Sequence, residues 1–124
     1  MNRLAVVATG HANVRSLLNA FERLGVDAVL TGDPETLRRS DRVVLPGVGA
    51  FGAVAARLEA GGLMQALKER ILQGRPLLGI CLGMQLLLEA SEETPGATGL
   101  GAISGTVTRL QVREKIPHVG WNLV

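Results

Sequence analysis

Cys81 is the only cysteine of the 124-residue chain, and it sits in Gly79-Ile80-Cys81-Leu82-Gly83, two residues from a glycine on either side. An apolar run, Pro76 to Ile80, precedes it, and Met84-Gln85-Leu86-Leu87-Leu88-Glu89 follows with the character of a helix. Strand, sharp turn and helix together make a nucleophile elbow, which lifts a reactive side chain clear of the sheet. The flanking glycines permit a strained turn and leave space for a substrate at sulfur. A helix N-terminus beneath the turn favours the thiolate and offers backbone N–H groups to an oxyanion. The alternative is a buried packing residue, the usual fate of a lone cysteine, and the spacing alone leaves both open.

A second constellation is Gly47-Val48-Gly49-Ala50-Phe51-Gly52, which fits the dinucleotide fingerprint G-x-G-x-x-G. That fingerprint belongs after the first strand of a sheet, with an acidic residue closing the next strand to hold the ribose. Here it follows the third expected strand, the next strand leads into Cys81, and Pro46 precedes the first glycine. An oxyanion loop accounts for these residues better. Small residues after Pro46 leave backbone N–H groups free to face a ligand. Acyl transfer needs two such donors, one from the residue after the nucleophile and one from a neighbouring strand end. Leu82 and Val48 or Gly49 suit those places.

The elements that would position these groups follow from hydrophobic spacing. Leu4 to Ala8 is a continuous apolar run, expected of a strand covered on both faces. Thr9-Gly10-His11-Ala12 turns, and Asn13 caps a helix with apolar residues at Val14, Leu17, Leu18, Phe21 and Leu24, ended by Gly25. Val26 to Leu30 is the second strand, Thr31-Gly32-Asp33-Pro34 a turn, and Arg42 to Leu45 the third strand. Helices over Phe51–Glu59 and Leu63–Leu72 are divided by Gly61-Gly62, and Pro76 to Ile80 is the fourth strand. Alternation of this kind predicts a single α/β domain: an open, mostly parallel sheet with helices on both faces. Its ligands bind at strand carboxyl ends, where Thr9–Ala12, Pro46–Phe51 and Cys81 all fall. Beyond Ser91 the chain turns polar, and Val107 to Val112 alternates weakly, as an exposed and possibly antiparallel strand would.

Composition narrows the function classes. An apolar fraction of 47% with 19% charged residues belongs to a folded domain. One cysteine excludes an intramolecular disulfide and fits a reducing, cytoplasmic setting. No apolar run approaches the ~18 residues of a membrane span. A net charge of +2, spread along the chain with no interleaved aromatics, gives no nucleic-acid footprint.

Three segments taken together carry a family resemblance: GICLGMQLLLEAS at 79–91, PGVGAFG at 46–52 and PHVGWN at 117–122. The sequence resembles the glutaminase subunit of imidazole glycerol phosphate synthase, a class I, triad-type glutamine amidotransferase of histidine biosynthesis. The opening ATGHANVRSLLNAFERLG is similar too, although Ala12 stands where many members have glycine. The GxCxGxQ elbow identifies the superfamily, and the other two segments select this subunit. The resemblance implies that Cys81 attacks the side-chain carboxamide of glutamine, forming a thioester and releasing ammonia. It implies that Leu82 with Val48 or Gly49 forms the oxyanion site, and that Gly49 and Gln85 hold glutamine. It further implies a (β/α)8-barrel cyclase subunit as heterodimer partner, faced by Asn13, His118, Trp121 and Asn122, and neither cofactor nor metal.

In this family the base and its orienting group are a histidine and a glutamate beyond the PHVGWN motif, and this sequence ends at Val124. The expectation is a domain truncated before that segment. It would keep elbow and oxyanion loop but hydrolyse very slowly by itself, and expose apolar surface and an unpaired sheet edge. His118 and His11 are poor substitutes for the base. Two other functions compete: an inactive module that docks on the cyclase, suggested by the missing base, and a cysteine redox sensor or hydrolase, suggested by the elbow alone.

Overall fold

In the computed structural model, which describes residues 3–10 and 13–124, four parallel strands form the main sheet in the order β2-β1-β3-β4. They are β1 (Leu4–Val7), β2 (Ala28–Thr31), β3 (Arg42–Leu45) and β4 (Leu77–Gly79). In register, Val6 faces Leu30 on one side of β1 and Val44 on the other, and Val44 in turn faces Leu78. The two-residue period of the strands divides their side chains between two cores. Ala5, Val7, Val43 and Leu45 point to one face, and Leu4, Val6 and Val44 to the other.

Helix α1 (Val14–Arg23) covers the second of these faces with Val14, Leu17, Leu18 and Phe21. Asn13 caps it by accepting the Ser16 N–H at 3.4 Å. Leu24, expected in the apolar stripe, is instead the C-cap and is exposed, because Gly25 at φ +70° already turns the chain away. Helices α3 (Phe51–Ala60) and α4 (Leu63–Leu72) cover the opposite face through Phe51, Val54, Leu58, Leu63 and Leu67, so helices do lie on both faces.

The stretch after β2 departs from the expected plain turn. Pro34–Arg39 form a helix, α2, whose Leu37 is buried. Asp33 caps it by accepting the Glu35 and Thr36 N–H groups, and Pro34 occupies the first turn, where its missing N–H costs nothing. The Thr36 hydroxyl, followed by those two N–H groups, holds the Asp33 carboxyl below the usual aspartate range. The end of α2 is pinned from α4. Arg70 is 2% exposed, and its guanidinium donates to the carbonyls of Leu37, Ser40, Asp41 and Pro76 at 2.7–3.0 Å.

The segment after Cys81 also differs from the expected Met84–Glu89 helix. Only Leu82–Gln85 form a helix, α5, of a single turn. The carbonyls that a longer helix would use are taken from outside: Leu86 O accepts from Leu100, Leu87 O from Ile103 and Leu88 O from Gly101. A side chain at Gly99 would place Cβ 2.0 Å from Leu88 O, so only glycine allows this approach. The chain then forms β5 (Ala90–Ser91), which pairs parallel with β6 (Thr106–Val107). The expected strand from Val107 to Val112 is therefore only its first residue plus Thr106, and it is parallel rather than antiparallel. Arg109 N–H donates to the Glu92 carboxylate at 3.1 Å instead of to a neighbouring strand. From Thr108 onward every residue is exposed, and β4, with Leu78 half exposed, forms one edge of the main sheet.

Candidate active site

Cys81 lies just beyond β4, with its backbone at φ +56° and ψ −120°. Among the described residues it alone has positive φ without being glycine. Such a conformation costs about 1–3 kcal/mol and persists only where the surroundings impose it. Here they do. A Cβ on Gly83 would sit 1.8 Å from Leu45 O, and one on Gly79 would sit 2.8 Å from Met84 Cα. Ile80 N–H donates to Leu45 O at 3.0 Å, tying the approach to the turn onto β3. The thiol is exposed.

It opens into a cleft of about 750 Å³ that Val48, Gly49, Leu82, Gln85, Glu93 and Arg109 help to line. The structure thus brings together Cys81, Leu82, Val48, Gly49 and Gln85, which the sequence proposed as one site. The loop across from the thiol runs from Pro46 to Ala50. Pro46, Gly47 and Phe51 are buried at its ends, while Val48, Gly49 and Ala50 are exposed between them.

The hydrogen bonding of this loop was not foreseen. Leu82 N–H donates to Gly47 O at 3.2 Å, so this donor is engaged by the loop itself. Among the described residues, the N–H groups of Val48 and Gly49 donate to no protein acceptor. The remaining N–H groups of α5 are bonded within the turn, Gly83 to Ile80 O and Met84 and Gln85 to Cys81 O. A single turn carries little macrodipole. The N–H groups of Leu82, Gly83, Met84 and Gln85 are all engaged by backbone carbonyls, so none of them donates to the sulfur.

Sequence reasoning also missed Glu93 and Thr94. The Glu93 carboxylate accepts the Phe51 N–H at 3.1 Å and the Thr94 hydroxyl accepts the Gly52 N–H at 3.2 Å. Ala50 stands where α3 needs a capping side chain and has none to offer. That missing cap was the available signal that the first N–H groups must be satisfied from elsewhere. The same contacts dispose of the dinucleotide reading: a carboxylate of the chain fills the place where a phosphate would rest.

The remaining proposed residues are not among those lining the cleft, although Ile116 and Pro117, next to His118, are. Asn13 caps α1 beyond the carboxyl end of β1. His118 and Asn122 approach within 2.7 Å of each other, and Trp121 is fully exposed. His11 and Ala12 lie outside the described residues. Among those described, no three His, Cys, Asp or Glu side chains converge as metal ligands, and no helix is long and apolar enough to cross a membrane.

Residues 5–124, nearly the whole chain and including the elbow, match the family model for glutamine amidotransferase class I. The chain belongs to the class I glutamine amidotransferase family. This amidotransferase chain is 50% identical over 119 residues to the imidazole glycerol phosphate synthase subunit HisH of Methanothermobacter thermautotrophicus, covering 96% of this chain and 59% of that protein. The HisH subunit of Bacillus cereus is 49% identical, covering 96% and 57%. That of Methanopyrus kandleri is 48% identical, covering 98% and 60%. The amidotransferase chain thus spans less than two thirds of the length of these relatives. A crystal structure of glutamine amidotransferase superposes with a TM-score of 0.76 at 23% identity, covering 91% of this chain and 59% of that one. A putative peptidase E protein from Listeria monocytogenes gives 0.59 at 19% identity, covering 70% and 50%. At such identities both bear on the fold alone.

Proposed function

We propose that this chain is the nucleophile-bearing part of a glutaminase subunit that supplies ammonia to a (β/α)8-barrel cyclase in histidine biosynthesis. The observation that carries the reading is Cys81, exposed on a strained elbow and facing the loop Gly47–Ala50 across one cleft. The Cys81 thiolate attacks the side-chain carboxamide carbon of glutamine. The C–N bond then breaks, and the nitrogen leaves as ammonia with a proton delivered by a general acid. Water cleaves the resulting thioester to glutamate and restores the thiol. The resemblance assigns that proton transfer to a histidine and a glutamate in residues following the PHVGWN motif.

Charge develops on the carbonyl oxygen in each tetrahedral intermediate, and its donors would be Leu82 N–H with Val48 or Gly49 N–H. Leu82 N–H becomes available once the Gly47 carbonyl, which now accepts it, moves aside. Gly49 and Gln85 would hold the glutamine. Asn13, His118, Trp121 and Asn122 would face the cyclase, with the exposed Trp121 as its aromatic anchor.

Glutamate release from glutamine, measured for the full subunit with its cyclase, tests the chemistry. Cys81→Ser is expected to lower it to background, and undiminished release would sink the thioester reading. Titration calorimetry tests the interface: Trp121→Ala is expected to weaken cyclase binding by about tenfold or more. Unchanged affinity would remove Trp121 from the contact.

A further inference from the structure

The loop that faces Cys81 is fastened at both ends by groups outside it. At its start, Gly47 O accepts the Leu82 N–H, next to the nucleophile. At its end, Phe51 and Gly52 donate to Glu93 and Thr94. Gly52 is shaped for this contact, since a Cβ there would meet the Thr94 methyl at 2.3 Å. The two acceptors are themselves braced by Ser91 of β5, whose hydroxyl accepts the Glu93 N–H at 3.2 Å and whose carbonyl accepts the Thr94 N–H at 3.3 Å. Ser91 is buried and lies in the β5–β6 pairing. A continuous set of contacts thus runs from the small sheet, through residues 93 and 94, to the end of the loop.

We propose that Glu93 and Thr94 are positioning residues for the oxyanion loop, acting through the Phe51 and Gly52 N–H groups. This rests on the glutaminase reading above. With the Phe51 end clamped, any movement is confined to the peptides from Gly47 to Ala50, including the Gly47 carbonyl that now accepts the Leu82 N–H. Without the clamp, the first turn of α3 loses two acceptors and the loop end shifts relative to Cys81. A donor misplaced by about 1 Å costs on the order of 100-fold in rate, with little effect on ground-state binding.

The test is glutamine hydrolysis by the full subunit bound to its cyclase. Glu93→Ala is expected to lower kcat by about 10- to 100-fold while KM stays within about threefold. Glu93→Gln should recover most of the loss, because its amide oxygen accepts the same N–H. Thr94→Val should lose activity and Thr94→Ser should keep it, which provides a second route if Glu93→Ala fails to fold. Faster amide hydrogen exchange at Phe51 and Gly52 in the Ala and Val variants would accompany the loss. A raised KM with kcat intact, or a Gln variant as impaired as the Ala variant, would mean that Glu93 acts on the substrate through its charge, and would overturn the proposal. So would full activity in both Glu93→Ala and Thr94→Val. Cys81→Ser separates the two readings: hydrolysis that survives it removes the glutaminase assignment, whereas hydrolysis abolished by it alone removes only the clamp.

Discussion

The elbow and the loop opposite it are neighbours in one cleft, yet they are held by different forces. Around Cys81 the backbone has no alternative: strand β3 fills the space beside Gly83, and the start of α5 fills the space beside Gly79. Around Gly49, at φ +98°, an added Cβ would meet nothing within 4 Å. The loop depends on three hydrogen bonds at its ends, each worth about 0.5–1.5 kcal/mol and up to about 3 where a carboxylate accepts. Steric exclusion therefore fixes the turn at Cys81, while exchangeable bonds hold the loop proposed as the oxyanion site. A cleft built this way can keep its sulfur in place while the peptide groups of the loop change partners.

Substitution by alanine separates the two modes. The largest effect is expected at Gly83→Ala, where the new methyl collides with a carbonyl of a central strand. Stability should fall by about 3 kcal/mol, and the melting temperature by roughly 10 °C. An unchanged melting temperature would show that the elbow is not sterically locked. Gly49→Ala should be milder, because the space is open and only the backbone conformation resists, at a cost of about 1 kcal/mol. Its signature should be slower glutamine hydrolysis in a chain that melts within a few degrees of the parent. A loss of stability as large as that at Gly83 would erase the contrast between the two regions.

Much of this arrangement was legible in the residues. Apolar runs marked the four strands of the main sheet, and glycine spacing marked both the elbow and the loop. The pattern could not reveal contacts made by segments distant in sequence. Leu86, Leu87 and Leu88 carry a helical composition, but their carbonyls are claimed by Leu100, Ile103 and Gly101, and the helix stops after one turn. Helix α2 was hidden because Asp33-Pro34 signals a turn and a helix start equally well. Val107–Val112 alternates like a strand, yet pairing needs a neighbour, and β5 provides only two residues. Glu93 and Thr94 sat in a stretch that looked like a polar connector, and only their proximity to an uncapped helix gives them a role.

A chain leaving the ribosome presents β1 first, although both flanks of β1 stay bare until residues 28–31 and 42–45 have appeared. Of these four strands β4 emerges last, and it pairs with β3. Every pairing in the main sheet is parallel and spans more than twenty residues, the kind of contact that forms slowly. During synthesis at roughly 5–20 residues per second, Cys81 follows β4 out of the ribosome within about a second. Until β4 pairs with β3, the turn at Cys81 lacks the enclosure that Leu45 gives it beside Gly83.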